Sequence, residues 1–541
     1  MNHPHQDLSL IEATESAMLS NVSVGEEFVR IANAAPDAPA LYWLTPDGVG
    51  SLTWKQLYQR ASSAAHRLKA LDPGRGRVAL ISYNSVDWIV AMYGCALAGR
   101  PVVPISPAAT AAEVTHMLSL AQVTTVLVVD RAGDDAPLIR VTEAARHLPH
   151  PPGVHDIAEF NIPSDSLVAP EPVEANSEFL VQFTSGTTGV PKAAVLSHRA
   201  SVNCARIYAD GCTARKGEIW LNPLPLFHVG GSVAGLLVSL ELSSAYVVMD
   251  RFSPDTALRV IREVRPALVG LVPTMIIDLL NLPGASAADF TSVRLVIGGA
   301  TAVDPSLIAD VESRLGITFM VAYGQSEAPT MTVSAPDDSA AVRTRTLGRC
   351  LPGRDYRIVA ADGGIAALGE VGELGVRGPL TMTGYLQGDG SIDPATDTAG
   401  WRGTGDLCSM DADGVVTFHG RIREMIIRGG LNVFPAEVER VVSAHGSVSE
   451  VAVFGVHDPR LGERVVAAIL PSAHHAVDLD DLASLAEEQL SHYKRPSEWI
   501  IVRKVPRTST GKIRKHQLRE WYENGSIRAE CDVVQNDRWG S

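Results

Sequence analysis

The sequence has few cysteines, and they are not spaced for a disulfide framework or a zinc site. The six cysteines lie far apart and include no C-x-x-C pair: Cys95, Cys204, Cys212, Cys350, Cys408 and Cys531. Scattered cysteines of this kind are typical of buried thiols in a reducing compartment. The N-terminal region also lacks a basic segment followed by an apolar core, so no signal peptide is predicted. We therefore exclude a disulfide-rich secreted scaffold and expect a cytoplasmic protein.

Long apolar runs and an excess of positive charge are also missing. The two longest apolar stretches, residues 86–99 and 229–249, are either shorter than the ~20 residues that cross a bilayer or interrupted by Glu241 among serines. They are predicted to be core, and no membrane span is expected. Lys and Arg number 46 against 61 Asp and Glu, a net charge of −15. Such a balance repels phosphate backbones, so nucleic acid is not expected as a partner.

What is present is a long chain of ordinary globular composition, with 541 residues, 46% hydrophobic and 20% charged. From residue 36 to about residue 335, apolar runs alternate with helix-length segments, which is typical of parallel strands covered by helices. Residues 348–420 instead show short strands separated by turn signals such as Asp413-Gly414, which indicates a β-rich subdomain. We predict a large α/β body over residues 1–422, built of layered α/β subdomains with that β-rich part.

A different pattern begins near residue 421. Helices are predicted at 435–444 and 478–490, and strands at 451–456, 465–470 and 499–502. These elements are enough for a separate small α+β domain, which we predict over residues 423–525. Residues 526–541 are polar and contain few aliphatic side chains, so they are predicted to form a poorly ordered tail.

One segment is unusually rich in glycine and hydroxyl side chains. It reads FTSGTTGVPK and contains four hydroxyls, two glycines and a lysine: Thr184, Ser185, Gly186, Thr187, Thr188, Gly189 and Lys192. Glycines let backbone N–H groups approach an anion, hydroxyls donate further hydrogen bonds, and lysine supplies a point charge. These properties suit a polyphosphate, although the spacing differs from the G-x-x-x-x-G-K-[ST] loop. Taken alone, the segment is equally consistent with a flexible surface loop.

Four further motifs follow in order: YGQSE at 323–327, WRGTGDL at 401–407, GRIREMIIRGGLNVFPAEVE at 420–439 and PRTSTGK at 506–512. Together with FTSGTTGVPKAAVLSH at 183–198, they resemble the signatures of the adenylate-forming superfamily. This superfamily contains acyl-CoA synthetases, the adenylation domains of peptide synthetases, and luciferases. The resemblance spans residues 24–519 and is closest in motif to fatty-acyl and aryl-CoA ligases.

The resemblance implies a role for each motif. Residues 184–192 would bind the ATP phosphates, and Glu327 with Thr184 would hold Mg²⁺, for which a carboxylate is a suitable hard ligand. Asp406 would accept hydrogen bonds from the ribose, with Arg421 nearby, and Lys512 would reach into the site during adenylation. The remaining implied nucleotide contacts are Gly299, Ala300, Tyr323, Gly324 and Ser326, the last standing where the family usually has threonine.

The segment that joins the two predicted domains resembles a hinge. In the family this joint rotates the small domain between adenylating and thioester-forming poses. Arg423 occupies the hinge position, where the family usually has Asp or Lys; a solvated cation is acceptable there because a hinge residue needs only to follow the backbone change. Gly429 and Gly430 would then line the thiol channel.

The acid-binding region is indicated by His228, which lies where fatty-acyl and aryl-CoA synthetases have a histidine that gates the acyl or thiol site. A lone histidine on an apolar run is otherwise usually a core residue. No Asp is present to pair with an amino-acid ammonium group, and Val229 stands where relatives that activate 2-hydroxybenzoates tend to have Asn. Gly230, Gly231 and Ala234 suggest room for a bulky or flat acyl group.

The expected function is that of an ATP-dependent carboxylic acid:CoA ligase. The acid and ATP would give acyl-AMP and pyrophosphate, and the CoA thiol would then displace AMP. Two alternatives stay open: a stand-alone adenylation enzyme that loads a separate carrier protein, and an enzyme that joins the activated acid to an amine or nitrite. No carrier domain is fused here, which favours CoA. A non-catalytic scaffold is disfavoured because Glu327, Asp406, Arg421 and Lys512 are all retained.

Overall fold

The computed structural model describes residues 7–13, 19–130, 136–184, 191–299, 305–472, 476–507 and 512–538. Residues 185–189 of the glycine-rich segment and Ala300 lie outside the described residues. Strands and helices are numbered in chain order. The helices before residue 350 are α1 (Val24–Ala34), α2 (Trp54–Leu71), α3 (Val86–Leu97), α4 (Ala111–Leu120), α5 (Pro137–Arg146), α6 (His198–Gly211), α7 (Val229–Gly231), α8 (Val238–Glu241), α9 (Pro254–Val264), α10 (Pro273–Leu280), α11 (Pro305–Leu315) and α12 (Ala340–Arg345).

An eight-stranded sheet forms one layer of the large body. Its strands are β4 (Arg77–Ile81), β5 (Val102–Ile105), β6 (Val123–Val128), β7 (Gly153–Asp156), β8 (Glu178–Thr184), β9 (Lys192–Ser197), β19 (Gly384–Leu386) and β20 (Ile392–Asp393). Their spatial order is β20-β19-β9-β8-β5-β4-β6-β7. Along β4, Val78 and Leu80 join one hydrophobic cluster while Ala79 and Ile81 join another. Both faces of this sheet are therefore covered, as expected for parallel strands flanked by helices.

A nine-stranded sheet forms the second layer. Its strands are β2 (Pro39–Thr45), β3 (Gly48–Thr53), β10 (Trp220–Leu221), β11 (Tyr246–Val248), β12 (Leu268–Leu271), β13 (Leu295–Gly299), β14 (Thr318–Tyr323), β15 (Thr332–Val333) and β16 (Arg349–Cys350). Six strands from β2 to β14 run parallel, in the spatial order β14-β13-β12-β10-β11-β2. The largest hydrophobic cluster contains residues of both sheets and of α1, α2, α3 and α6, so the main core lies between the two layers.

A five-stranded antiparallel sheet adjoins these layers. Its strands are β1 (Leu10–Ile11), β17 (Asp355–Val359), β18 (Gly372–Arg377), β21 (Arg402–Met410) and β22 (Val416–Arg421). The predicted turn at Asp413-Gly414 connects β21 to β22, and Gly414 adopts a φ of +73°. The segment predicted as one β-rich subdomain is nevertheless shared among sheets, because β16 and the β19–β20 pair hydrogen-bond to strands of the other two layers.

The remaining described chain forms a small α/β unit. Its strands are β23 (Ile426–Arg428), β24 (Leu431–Val433), β25 (Val448–Asp458), β26 (Gly462–Pro471), β27 (Glu498–Val502) and β28 (Val533–Arg538), and its helices are α13 (Pro435–Ser443), α14 (Leu479–Gln489), α15 (Lys515–Glu523) and α16 (Ile527–Glu530). Alternate residues of β25 and β26 pack into two clusters, one with α13 and α14 and the other with α15 and α16. Sheet membership changes between Arg421, which ends β22, and Ile426, which begins β23.

The prediction of a poorly ordered tail over 526–541 is wrong for most of that segment. Ile527 and Cys531 are buried in the cluster beneath α15, and β28 pairs antiparallel with β27. The segment is therefore attached in two ways. Its few apolar residues pack into the small unit, and its backbone pairs with the edge of β27, which does not depend on side-chain type.

The fold class is confirmed: a large α/β body with several sheets is followed by a small C-terminal domain. No helix among the described residues is long and apolar enough to cross a membrane.

Candidate active site

Four of the predicted site residues lie at or after the ends of strands in the two large sheets. Thr184, Gly299 and Tyr323 are the last residues of β8, β13 and β14, and His228 lies in the connection that follows β10. The carboxyl ends of the strands are the usual place for a ligand crevice in an open α/β sheet. Strand ends of two layers of the large body thus carry the predicted site residues.

Asp406 is the centre of a buried polar cluster, with only 1% of its surface exposed. The Tyr323 hydroxyl and the Gln325 amide, at 2.8 Å, both donate to its Oδ2. The Arg421 Nε lies 3.1 Å from Oδ1, and the register of β21 and β22 places these two residues directly opposite each other. Burial and the Asp406 carboxylate raise the pKa of Tyr323 well above its usual value, so this hydroxyl stays a donor.

Gln325 is a hydrogen-bond partner of Asp406 that was not predicted from the sequence. Its amide nitrogen also donates to the carbonyl of Thr404 at 2.9 Å, in the segment that leads to Asp406. A glutamine in a loop has no distinctive local pattern. Its position inside the YGQSE motif, between two selected residues, was the available signal.

Glu327 belongs to a second cluster, next to the glycine-rich segment. The Tyr385 hydroxyl donates to Glu327 Oε1 at 2.8 Å, and the Lys192 ammonium lies 5.0 Å from the centre of the Tyr385 ring. Lys192 pairs with Thr184 across β8 and β9. Tyr385, which the sequence reasoning missed, therefore connects Glu327 to the Thr184–Lys192 end of the hairpin.

Glycine is required at two of the predicted positions by the chain itself. A Cβ at Gly299 would lie 2.1 Å from the Ala322 carbonyl oxygen, and a Cβ at Gly324 would lie 2.5 Å from the Thr330 nitrogen. Thr330 adopts a φ of +48°, which is rare for a β-branched residue and marks a tightly constrained turn. This turn contains Ser326 and presents Glu327, whose carbonyl accepts the Met382 N–H at 2.7 Å.

Lys512 of the small unit reaches the large body. Burial, and next the Arg421 guanidinium, lower its pKa to about 8, while Asp406 and Glu424 act in the opposite direction. Burial and the nearby Lys512 charge lower the pKa of His228 to about 4. Lys512 is therefore close enough to Asp406, Arg421 and His228 to interact with each of them electrostatically, although these residues come from distant parts of the sequence.

The lowered pKa gives Lys512 a titration near neutral pH. Since its ammonium is present below about pH 8 and lost above it, we expect the acid-dependent ATP–pyrophosphate exchange rate to fall as pH rises through about 8. A Lys512→Arg variant keeps its charge and should lack this decline. An exchange rate that rises steadily from pH 7 to 9 in the wild type would contradict the assignment.

Gly429 and Gly430 lie elsewhere in this structure. They form the two-residue turn between β23 and β24, with φ values of +60° and +80° that favour glycine. Both are exposed, and the Gly429 N–H donates to the Leu461 carbonyl within the small unit. Their predicted role in a thiol channel stays a prediction.

The predicted hinge segment is tied to the small unit by a half-buried charge network. Arg423 is exposed in the 3₁₀ turn Ile422–Glu424. The Lys515 ammonium lies 3.0 Å from Glu424 in this turn and 2.7 Å from Glu439 on α13. Lys515 therefore links the chain just after Lys512 to the segment that joins the two units.

Comparison with known proteins agrees with this architecture. The sequence profile of the AMP-binding enzymes matches residues 28–386, and the profile of the AMP-binding enzyme C-terminal domain matches residues 437–512. The chain therefore belongs to the AMP-binding enzymes, the adenylate-forming superfamily that its motifs resemble.

Similar proteins of known activity place it in the acid:CoA ligase group of this family. A methyl-dioxo-octahydro-indenyl propanoyl:CoA ligase of Rhodococcus jostii is 32% identical over 88% of this chain and 94% of that protein. The indoleacetate–CoA ligase of Aromatoleum aromaticum is 32% identical over 87% of this chain and 93% of that protein. The structure of ATP-bound MatB from Rhodopseudomonas palustris has a TM-score of 0.84, with 24% identity over 94% of this chain and 100% of that chain, and so has the same fold.

Proposed function

We propose that this protein activates a carboxylic acid with ATP as acyl-AMP, releases pyrophosphate, and transfers the acyl group to the thiol of CoA. The observation that carries the proposal is the position of Lys512, which brings a positive charge from the small unit to Asp406, Arg421 and His228 of the large body. Attack of a carboxylate on the α-phosphate gathers negative charge, which a positioned ammonium stabilises.

Asp406, Lys512 and His228 are each proposed to have a separate role. Asp406 is proposed to accept hydrogen bonds from the ribose, because its buried carboxylate is already oriented by Tyr323, Gln325 and Arg421. Lys512 is proposed to act in adenylation only. His228, half-buried after β10, is proposed to border the acyl and thiol site.

Glu327 and Thr184 fit a magnesium site. Tyr385 engages Oε1 of Glu327, while Oε2 has no hydrogen-bond partner among the described residues and is available to a cation. Carboxylate and hydroxyl oxygens are the ligands that Mg²⁺ prefers, and the ion would neutralise charge on the ATP phosphates. The fixed turn around Glu327 would hold this ligand in place.

The proposal is tested by incubating the purified protein with ATP, Mg²⁺, CoA and a pool of short, medium-chain, long and aromatic acids, the last including indoleacetate. Products are identified by mass spectrometry. A specific acyl-CoA supports the ligase. Acyl-AMP without a thioester contradicts CoA as acceptor and moves the assay to carrier proteins and amines, whereas no product with any acid overturns the proposal. A cytoplasmic location stays a prediction.

The two glycines after Val229 should respond differently to substitution. A Cβ at Gly231 would lie 2.3 Å from the Pro225 carbonyl oxygen, so Gly231→Ala should destabilise the fold by about 1–3 kcal/mol. A Cβ at Gly230 meets only Leu224 Cδ1, at 3.3 Å. Gly230→Val should therefore fold, yet lower kcat/KM for bulky acids at least ~10-fold relative to a short acid.

Thermal unfolding and kinetics with an acid series check this contrast. Gly388→Val is the matched control, because a Cβ there has nothing within 4 Å. Equal losses for short and bulky acids in Gly230→Val would exclude a role in acyl selection.

A further inference from the structure

The connection that carries His228 is an irregular segment in the interior. Residues 222–228 form neither strand nor helix between β10 and α7, and Leu226 and Phe227 are buried. A buried segment without regular structure must find hydrogen-bond partners for its backbone elsewhere.

Three buried amide side chains supply these partners. Asn84 Nδ2 donates to the carbonyls of Pro223 and Leu224, at 3.4 and 3.0 Å, and its Oδ1 accepts the Leu226 N–H at 2.8 Å. Asn222 Oδ1 accepts the Leu224 N–H at 3.0 Å, and its Nδ2 donates to the Gly230 carbonyl at 2.9 Å. Gln182 Nε2 donates to the Phe227 carbonyl at 2.9 Å. Each of the two asparagines both donates and accepts, whereas Gln182 acts here through its Nε2 as a donor.

These amides attach the segment to both layers of the large body. Gln182 lies in β8 and Asn84 follows β4, both in the eight-stranded sheet, whereas Asn222 follows β10 of the nine-stranded sheet. The position of the segment is therefore set by residues of the eight-stranded sheet together with Asn222 of the segment itself.

Gln182 contacts the backbone immediately before His228. The carbonyl it contacts belongs to the peptide that joins Phe227 to His228. Gln182 is 1% exposed, and its amide nitrogen also donates to the carbonyl of the next residue in β8, Phe183, at 3.3 Å. On the other side, the His228 N–H donates to the Pro225 carbonyl, and the His228 carbonyl accepts from Ser232.

We propose that Gln182 is a positioning residue for His228: its buried amide fixes the Phe227–His228 peptide so that the imidazole faces the acyl-transfer site near Lys512. This inference rests on the function proposed above, because that function assigns His228 to the site. Removal of the amide donor would leave the Phe227 carbonyl buried without this partner, so that the hydrogen bond from the His228 N–H to Pro225 alone would orient the peptide.

The first test is kinetic. Gln182→Met keeps the side-chain length and removes the donor; we expect kcat/KM for the acid to fall about 10- to 100-fold with KM for ATP unchanged, since a small misplacement near the reacting groups has effects of this size. In Gln182→Glu, the protonated carboxyl can donate to Phe227 and the carboxylate cannot. Its activity relative to wild type should therefore fall as pH rises through the pKa of the new carboxyl.

The second test does not depend on activity. The protein is labelled with ¹³C-histidine, and the His228 signal is assigned with a His228→Gln variant. Gln182→Met should move the His228 titration toward that of an ordinary histidine. The matched control is Asn203→Leu, which removes another fully buried amide that bonds to the backbone carbonyls of Ser20 and Arg199.

The control should lose thermal stability to a similar extent and leave the His228 signal and the acid kinetics unchanged. The proposal is overturned if Gln182→Met and Asn203→Leu behave alike in both measurements. If the wild type forms no product with any acid, the proposed function fails, while an unchanged His228 titration in Gln182→Met separately overturns the positioning role.

Discussion

Replacement of Lys512 by alanine is expected to lower adenylation about a hundredfold or more, the usual scale for the loss of one electrostatic stabiliser in a water-poor site. The structure places this ammonium close to Asp406, Arg421 and His228, where burial strengthens its interaction with developing charge. The measurement is acid-dependent ATP–pyrophosphate exchange, which reports the first half-reaction alone.

Thioester formation from a supplied acyl-AMP should be largely retained in Lys512→Ala, because no charge then develops on an ATP phosphate. Lys504→Ala is the matched control, since Lys504 is an exposed lysine of the same unit. Equal losses in both half-reactions would show that Lys512 supports the fold or the whole site rather than adenylation.

Replacement of Asp406 by alanine is expected to weaken ATP binding roughly a hundredfold, because hydrogen bonds to a charged acceptor contribute about 1.5–3 kcal/mol each. The change also leaves Tyr323, Gln325 and Arg421 without their shared acceptor, and an unsatisfied buried donor costs about 1–3 kcal/mol of folding stability. Calorimetric titration with ATP and denaturant unfolding measure the two effects separately.

Asp355→Ala separates ATP recognition from sheet stability. Asp355 forms an ion pair with Arg377 at 2.7 Å in the same five-stranded sheet, and it was not selected as a site residue. This control should lose stability and bind ATP normally. The assignment of Asp406 to the ribose fails if both variants bind ATP with the same affinity.

Candidate site residues could be predicted from the sequence where they lie in contiguous motifs. Asp406, Arg421 and Lys512 could be selected because each stands in a short segment with a recognisable order of residues. Their partners could not be selected in the same way. Tyr385 comes from β19, and its contact with Glu327 exists because β19 pairs with β9, far away in the sequence. No local pattern specifies such a pairing.

Dependence on a distant partner also explains why the tail predicted over residues 526–541 was wrong. Its composition is that of a solvated tail, and composition describes only what a segment can bury by itself. The segment is ordered through an edge that another strand, β27, provides. The role of Gln182 could not be predicted from the sequence for the same reason. In the sequence it is one polar residue in an apolar strand, and its partner, the Phe227 carbonyl, is known only from the structure.

The pairing of β28 with β27 has a practical consequence for protein production. All five residues of β27 are buried, and the strand is flanked by β26 on one side and β28 on the other. A chain shortened at residue 525 would expose the backbone of this apolar strand along one side, which is a template for pairing between molecules. Shortened versions are therefore expected to aggregate.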